Sequence, residues 1–117
     1  MIRLKRIYES PKPQLGDGKR VLVDRLWPRG LSKGEVVVDE WIKEIAPSVS
    51  LRKWFAHDPN KWPAFLEKYK RELKNKKEIV DRLRNEAKKE KITLLFSAKD
   101  REHNNAVALM EMIEHPE

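Results

Sequence analysis

Two short polar stretches hold most of the side chains able to do chemistry. One is Asp24-Arg25-Leu26-Trp27-Pro28-Arg29-Gly30; the other is Ser97-Ala98-Lys99-Asp100, running on into Glu102-His103-Asn104-Asn105. A guanidinium is planar and permanently charged, so Arg25 and Arg29 suit a bidentate grip on a phosphate or carboxylate. Lys99 adds a point charge, Asn104 an amide, and Trp27 a flat wall for a ring. His103 is the best acid–base candidate, because an imidazole titrates near neutral pH. Each has a structural reading beside the functional one. The arginines could pair with Asp24, Asp39 or Asp58, and a tryptophan leaving a strand is commonly core.

Ser97, Asp100 and His103 carry the groups of a nucleophile, an orienter and a base, but three positions along one turn rarely give that geometry. Ser97 and Asp100 equally fit the Ser-x-x-Asp capping box of a last helix, whose first amides could otherwise cradle an anion with Lys99. His57 precedes Asp58-Pro59, which reads as a helix start with Asp58 as N-cap, leaving His57 on a loop as a further catalytic candidate. His115 lies in the tail. No His-x-x-x-His pair occurs and there is no cysteine, so disulfides, thiolate sites and a Cys nucleophile are excluded, and neither a metal nor a cofactor is expected. The glycines around Asp17 lack phosphate-loop spacing.

The elements that must position these residues follow from periodicity. Ile2 to Tyr8 alternates apolar and charged residues, a half-exposed strand near an edge. Glu9 to Lys19, with two prolines and two glycines, is a loop. Arg20 to Trp27 contains Val21-Leu22-Val23 and reads as a strand covered on both faces, as does Ile92 to Phe96. Val36-Val37-Val38 favours a short strand or extended segment. From Asp39 a helix is expected, with Trp41, Ile42 and Ile45 inward until Pro47, then a short helix capped by Ser50 with Leu51, Trp54 and Phe55 inward. Trp62, Phe65, Leu66, Tyr69 and Leu73 make a single stripe on a helix starting between Asp58 and Asn60. Ile79, Val80, Leu83 and Ala87 mark another, and Ala106, Leu109, Met110 and Ile113 the last.

A long helical crossover between two buried strands requires parallel pairing. The expectation is one α/β domain over residues 1–117, three layers deep, with a small, mostly parallel sheet flanked by helices. In such sheets ligands gather beyond the carboxyl ends of the strands. Parallel strands would bring the exits after Val23 and Phe96 to one rim.

At 117 residues the chain is the size of one domain. It opens on charged, strand-like sequence without the apolar core of a signal peptide, and no run spans a bilayer, so the cytoplasm is expected and a membrane is not. The net charge of +7 permits a nucleic-acid partner, but the basic residues are interleaved with acids, above all between Lys68 and Lys91. Abundant Lys and Glu with a single glutamine also match a thermophile-like composition with surface ion pairs.

Arg20-Val21-Leu22-Val23-Asp24-Arg25-Leu26-Trp27-Pro28-Arg29-Gly30-Leu31-Ser32-Lys33 resembles the signature of the YeaO-like family, a branch of domain of unknown function 488. Trp41 to Ser48, Leu51-Arg52-Lys53-Trp54-Phe55 with His57-Asp58-Pro59, and Thr93-Leu94-Leu95 through Asp100 to Asn104-Asn105-Ala106 extend the likeness over nearly the whole chain; Pro63 and the three valines depart from it. The resemblance implies a bacterial or archaeal cytoplasmic protein with an α/β fold and supplies no reaction. Three readings stand. The first is a small-molecule or anion site, enzymatic or not, formed by Arg25, Trp27, Arg29, Lys99, His103 and Asn104. The second is a basic nucleic-acid-associated protein, and the third a structural or partner-binding module.

Overall fold

The computed structural model describes residues 1–115. Four strands, β1 (Ile2–Arg6), β2 (Lys19–Leu22), β3 (Glu40–Trp41) and β4 (Ile92–Phe96), form one sheet in the order β1-β4-β2-β3. Every adjacent pair is parallel, with Ile2 opposite Ile92 and Val21 opposite Leu94. The α/β class read from the sequence holds. β4 is buried along its whole length because it lies inside the sheet with both faces covered.

Four helices follow: α1 (Val49–Phe55), α2 (Trp62–Leu73), α3 (Lys77–Lys89) and α4 (Asn105–Glu114). All four lie on one face of the sheet. Leu51, Phe55, Phe65, Tyr69, Leu83 and Leu109 pack with Val21, Val23, Ile92, Leu94 and Phe96. The other face was expected to carry helices too. It is covered instead by connections: Ile7 and Val36, with Tyr8, Trp27, Leu31 and Val38, close over Leu22 and Leu95. The third layer is therefore loop.

That layer is pinned from beneath. Arg20, almost wholly buried, donates from Nε to the Val37 carbonyl (2.8 Å) and from Nη1 to Asp17 (2.7 Å), while Nη2 reaches the Ser10 carbonyl. Gly18 has φ +62°, and a Cβ there would stand 2.1 Å from the Lys91 carbonyl oxygen, so only glycine lets the loop enter β2 so close to β4.

Several local expectations are corrected. β2 ends at Leu22, not Trp27, although Val23 N–H still reaches the Leu95 carbonyl; beyond it the chain bends around Asp24. Of the short strand or extended segment expected at the three valines, the strand does not form: Val37 N–H bonds the Pro11 carbonyl and Val36 fills the second cluster. The helix expected from Asp39 is absent. Glu40–Trp41 pairs with Val21–Leu22, Ile42 N–H continues to the Leu22 carbonyl, and only a 3₁₀ turn, Lys43–Ile45, follows. The free edge of β2 supplied partners that outweighed a helical apolar spacing. Ser48, not Ser50, caps α1, its Oγ accepting from Leu51 N–H (3.1 Å). Trp54 points outward, under Lys61 and Lys68 at 5.1 and 4.9 Å from its ring centre. The α2 stripe stands as read, with Asp58 capping the 3₁₀ turn Pro59–Lys61 that leads into it.

Candidate functional site

A cleft of about 940 Å³ opens where the sheet ends, and all four strand exits contribute to it. Arg6 and Tyr8 come from the end of β1, and Asp24 to Arg29 from β2. Ala46 and Pro47 follow β3, with Arg52, Lys53 and Phe55 on α1, and Ser97 to Asp100 and His103 to Asn105 follow β4. Because β2 and β4 are neighbours and parallel, their exits share one rim.

Asp24 ties that rim together. Its Oδ2 accepts from Ser97 N–H (2.9 Å) and Ser97 Oγ (2.5 Å), its Oδ1 accepts from Asn105 Nδ2 (3.0 Å), and its carbonyl accepts from Trp41 Nε1 (2.7 Å). Arg6 supports the opposite side, its Nε donating to the Ser97 and Ala98 carbonyls at 3.1 and 3.0 Å. Ser97 thus joins strand ends and does not form the expected capping box. Asn104 is the cap of α4: its Oδ1 accepts from Val107 N–H (2.9 Å), and its Nδ2 donates to the Asp100 carbonyl (2.9 Å). The buried Asn104 lines the cleft, yet its amide serves the helix.

Arg25 also lines the cleft and is the incompletely satisfied member of the set. Its Nη2 reaches the Ala46 and Pro47 carbonyls at 3.2 and 3.3 Å, while its buried Nε finds no acceptor among the described residues. No carboxylate pairs with Arg25, Arg29 or Lys99 among the described residues, so the bridges to Asp24, Asp39 or Asp58 do not form. Arg29 is exposed, its carbonyl held by the Tyr8 hydroxyl at 2.7 Å. Trp27 forms part of the wall, fixed by an Nε1 bond to the Leu31 carbonyl (2.6 Å) and edge-on to Trp41 (5.4 Å between ring centres).

His103 and Asp100 form a pair. Asp100 Oδ2 lies 3.0 Å from His103 Nδ1, and Oδ1 accepts from the N–H groups of Glu102 and His103. These backbone donors, the Glu102 amide first, and then the imidazole hold the Asp100 carboxyl below its usual range. An ionised Asp100 on Nδ1 leaves Nε2 as the nitrogen open to other partners. Trp62 packs edge-on against the imidazole, ring centres 5.3 Å apart. Ser97 donates to Asp24 and makes no bond to His103, so the three do not assemble as a triad. His57 borders the cleft on an exposed turn where it and Ala56 both have positive φ, +57° and +47°.

The cleft therefore presents six cations (Arg6, Arg25, Arg29, Arg52, Lys53 and Lys99) against two carboxylates, both already hydrogen-bonded. Among the described residues no three His, Asp or Glu side chains gather closely enough to hold a metal ion, and no helix is long and apolar enough to cross a membrane. Sequence reasoning missed Arg6, Tyr8, Arg52 and Lys53. Extending the strand-exit rule to β1 finds the first two. Nothing in a charged, amphipathic segment distinguishes the others from solvated helix residues.

The family model of the inactive DUF488-N3 subclade matches residues 1–116. The chain belongs to this family. It is 45% identical over 112 residues to the uncharacterized protein YeaO of Escherichia coli (strain K12), a match covering 96% of each chain. It is 44% identical over 72 residues to the uncharacterized protein Rv3073c of Mycobacterium tuberculosis, covering 62% of this chain and 59% of the relative. No solved structure matches. Membership of the DUF488-N3 subclade agrees with the YeaO-like resemblance of the Leu26-Trp27-Pro28-Arg29-Gly30 stretch.

Proposed function

We propose that this protein binds a small phosphate- or carboxylate-bearing molecule in the strand-end cleft, without turning it over. Arg25 carries the reading. Its guanidinium borders the cleft with no carboxylate among the described residues to balance its charge, and an anion seated in the cleft would supply that partner. Arg29, Lys99, Arg52 and Lys53 raise the positive potential around it, and His103 borders the same space. Binding without chemistry is favoured by two observations. Ser97 is engaged with Asp24, leaving the Asp100–His103 pair without a hydroxyl nucleophile bonded to it, and the subclade's description reads inactive. A purely structural network would close over Arg25, whereas an open cleft lies beside it.

The test is a thermal-shift screen of anionic metabolites at fixed ionic strength. A bound anion raises the melting temperature by mass action, in step with its concentration. Arg25→Ala and Arg29→Ala should each remove that rise while the unliganded protein stays folded. Equal rises in the wild type and both variants would refute the site.

A further inference from the structure

We infer that the ligand is an amphiphilic anion, a phosphate or carboxylate group joined to an apolar body; this narrows the preceding reading and rests on it. The size of the cleft is the first argument. About 940 Å³ is at the upper end of the roughly 300–1,000 Å³ typical of sites that enclose a whole organic molecule, far more than an inorganic anion fills. The second is the composition of its walls. Besides the cations the lining includes Leu26, Trp27, Pro47, Val49 and Phe55, side chains unable to hydrogen-bond a sugar or a second charged group, apart from an indole N–H already held by Leu31.

The third argument is exposure. Leu26 and Val49 are 66% and 49% exposed, and both border this cleft. They come from different elements, the β2 exit and the start of α1, so the sheet end carries an apolar surface beside Arg25 that the fold leaves uncovered. Charge complementarity selects the headgroup and these walls select the body. A strongly hydrated anion such as a sugar phosphate satisfies the first and would desolvate its hydroxyls against the second.

Calorimetric titration of the full chain at constant ionic strength tests this with 1-naphthyl phosphate, 1-naphthoate, glycerol 3-phosphate and 1-naphthol. At least one naphthyl anion should bind ten or more times tighter than glycerol 3-phosphate, and whichever does so identifies the headgroup. Leu26→Ser combined with Val49→Ser, both at exposed positions, should bring that ratio below threefold, and Arg25→Ala should weaken the naphthyl anion at least tenfold. Glycerol 3-phosphate binding as tightly as both naphthyl anions overturns the inference and spares the anion site. A ratio unchanged in the Leu26/Val49 variant also overturns it. Naphthol matching the naphthyl anions, or no binding by any of the four, removes the anion site and the inference together.

Discussion

Asp17 and Arg20 illustrate what a single buried ion pair does in this molecule. Asp17 is held by Lys5, by Arg20 and by the backbone N–H of Gln14. Burial alone would raise its pKa, but these donors, Lys5 foremost, outweigh it and bring the carboxyl down to about 2. A carboxyl lowered from 3.8 to about 2 contributes stability that is complete above pH 3.8 and disappears as the pH falls through 2. Urea midpoints measured between pH 2 and 6 should show this loss in the wild type and much less of it in Asp17→Asn. Asp17→Ala should cost about 3–5 kcal/mol at pH 7, because it strands the Arg20 guanidinium beneath the loop layer. Neither role was legible in the sequence. The reading of Arg20 to Trp27 as a strand covered on both faces gives Arg20 no partner, and only the register that sets it opposite Thr93, with the loop bearing Asp17 folded over it, shows what it holds. Arg25 and Arg29 were legible because two arginines flank Leu26-Trp27-Pro28 just past an apolar strand.

The helices are tied down by side chains whose roles had to be seen. Asn104 caps α4, so Asn104→Ala should cost about 1 kcal/mol and speed hydrogen exchange at the Val107 amide. Ser97→Ala should leave the Val107 amide protected and act on Asp24 instead. The sequence reading puts the capping candidate at Ser-x-x-Asp and gives Asn104 to the ligand, because local spacing does not show where the helix begins. Strand β3 shows the opposite limit. Two residues, Glu40 and Trp41, carry too little pattern to be read as a strand, yet Glu40 joins Lys19, Arg82 and Glu86 in a network that clamps the edge of the sheet to α3. The long, regular α2 and α3 stripes were legible because tertiary contact and local spacing agree there.

Across the whole molecule, the two faces of the sheet are covered by unlike material, helices on one and loops on the other. They share β2 and β4, whose alternate residues feed both layers, so they should melt together. Trp27 and Trp41 belong to the loop layer, while Trp62 packs on the helical one. Tryptophan fluorescence and far-ultraviolet dichroism should therefore give coincident urea transitions, and an earlier fluorescence change would show the loop layer detaching first. The parallel sheet and the shared rim followed from two apolar runs separated by helices. That loops complete the third layer did not, since Val36-Val37-Val38 is apolar enough for several outcomes.

The ends of the sheet bear on how the folded protein behaves when concentrated. β1, at one margin, alternates Ile2 and Leu4 with Arg3 and Lys5, and β3, at the other, is two residues long. A margin studded with like charges and one too short to template a ladder both discourage strand addition from a second molecule. The apolar β4, the segment most prone to stack into cross-β fibres, is enclosed between β1 and β2. Aggregation through this sheet would first require stripping a neighbour away.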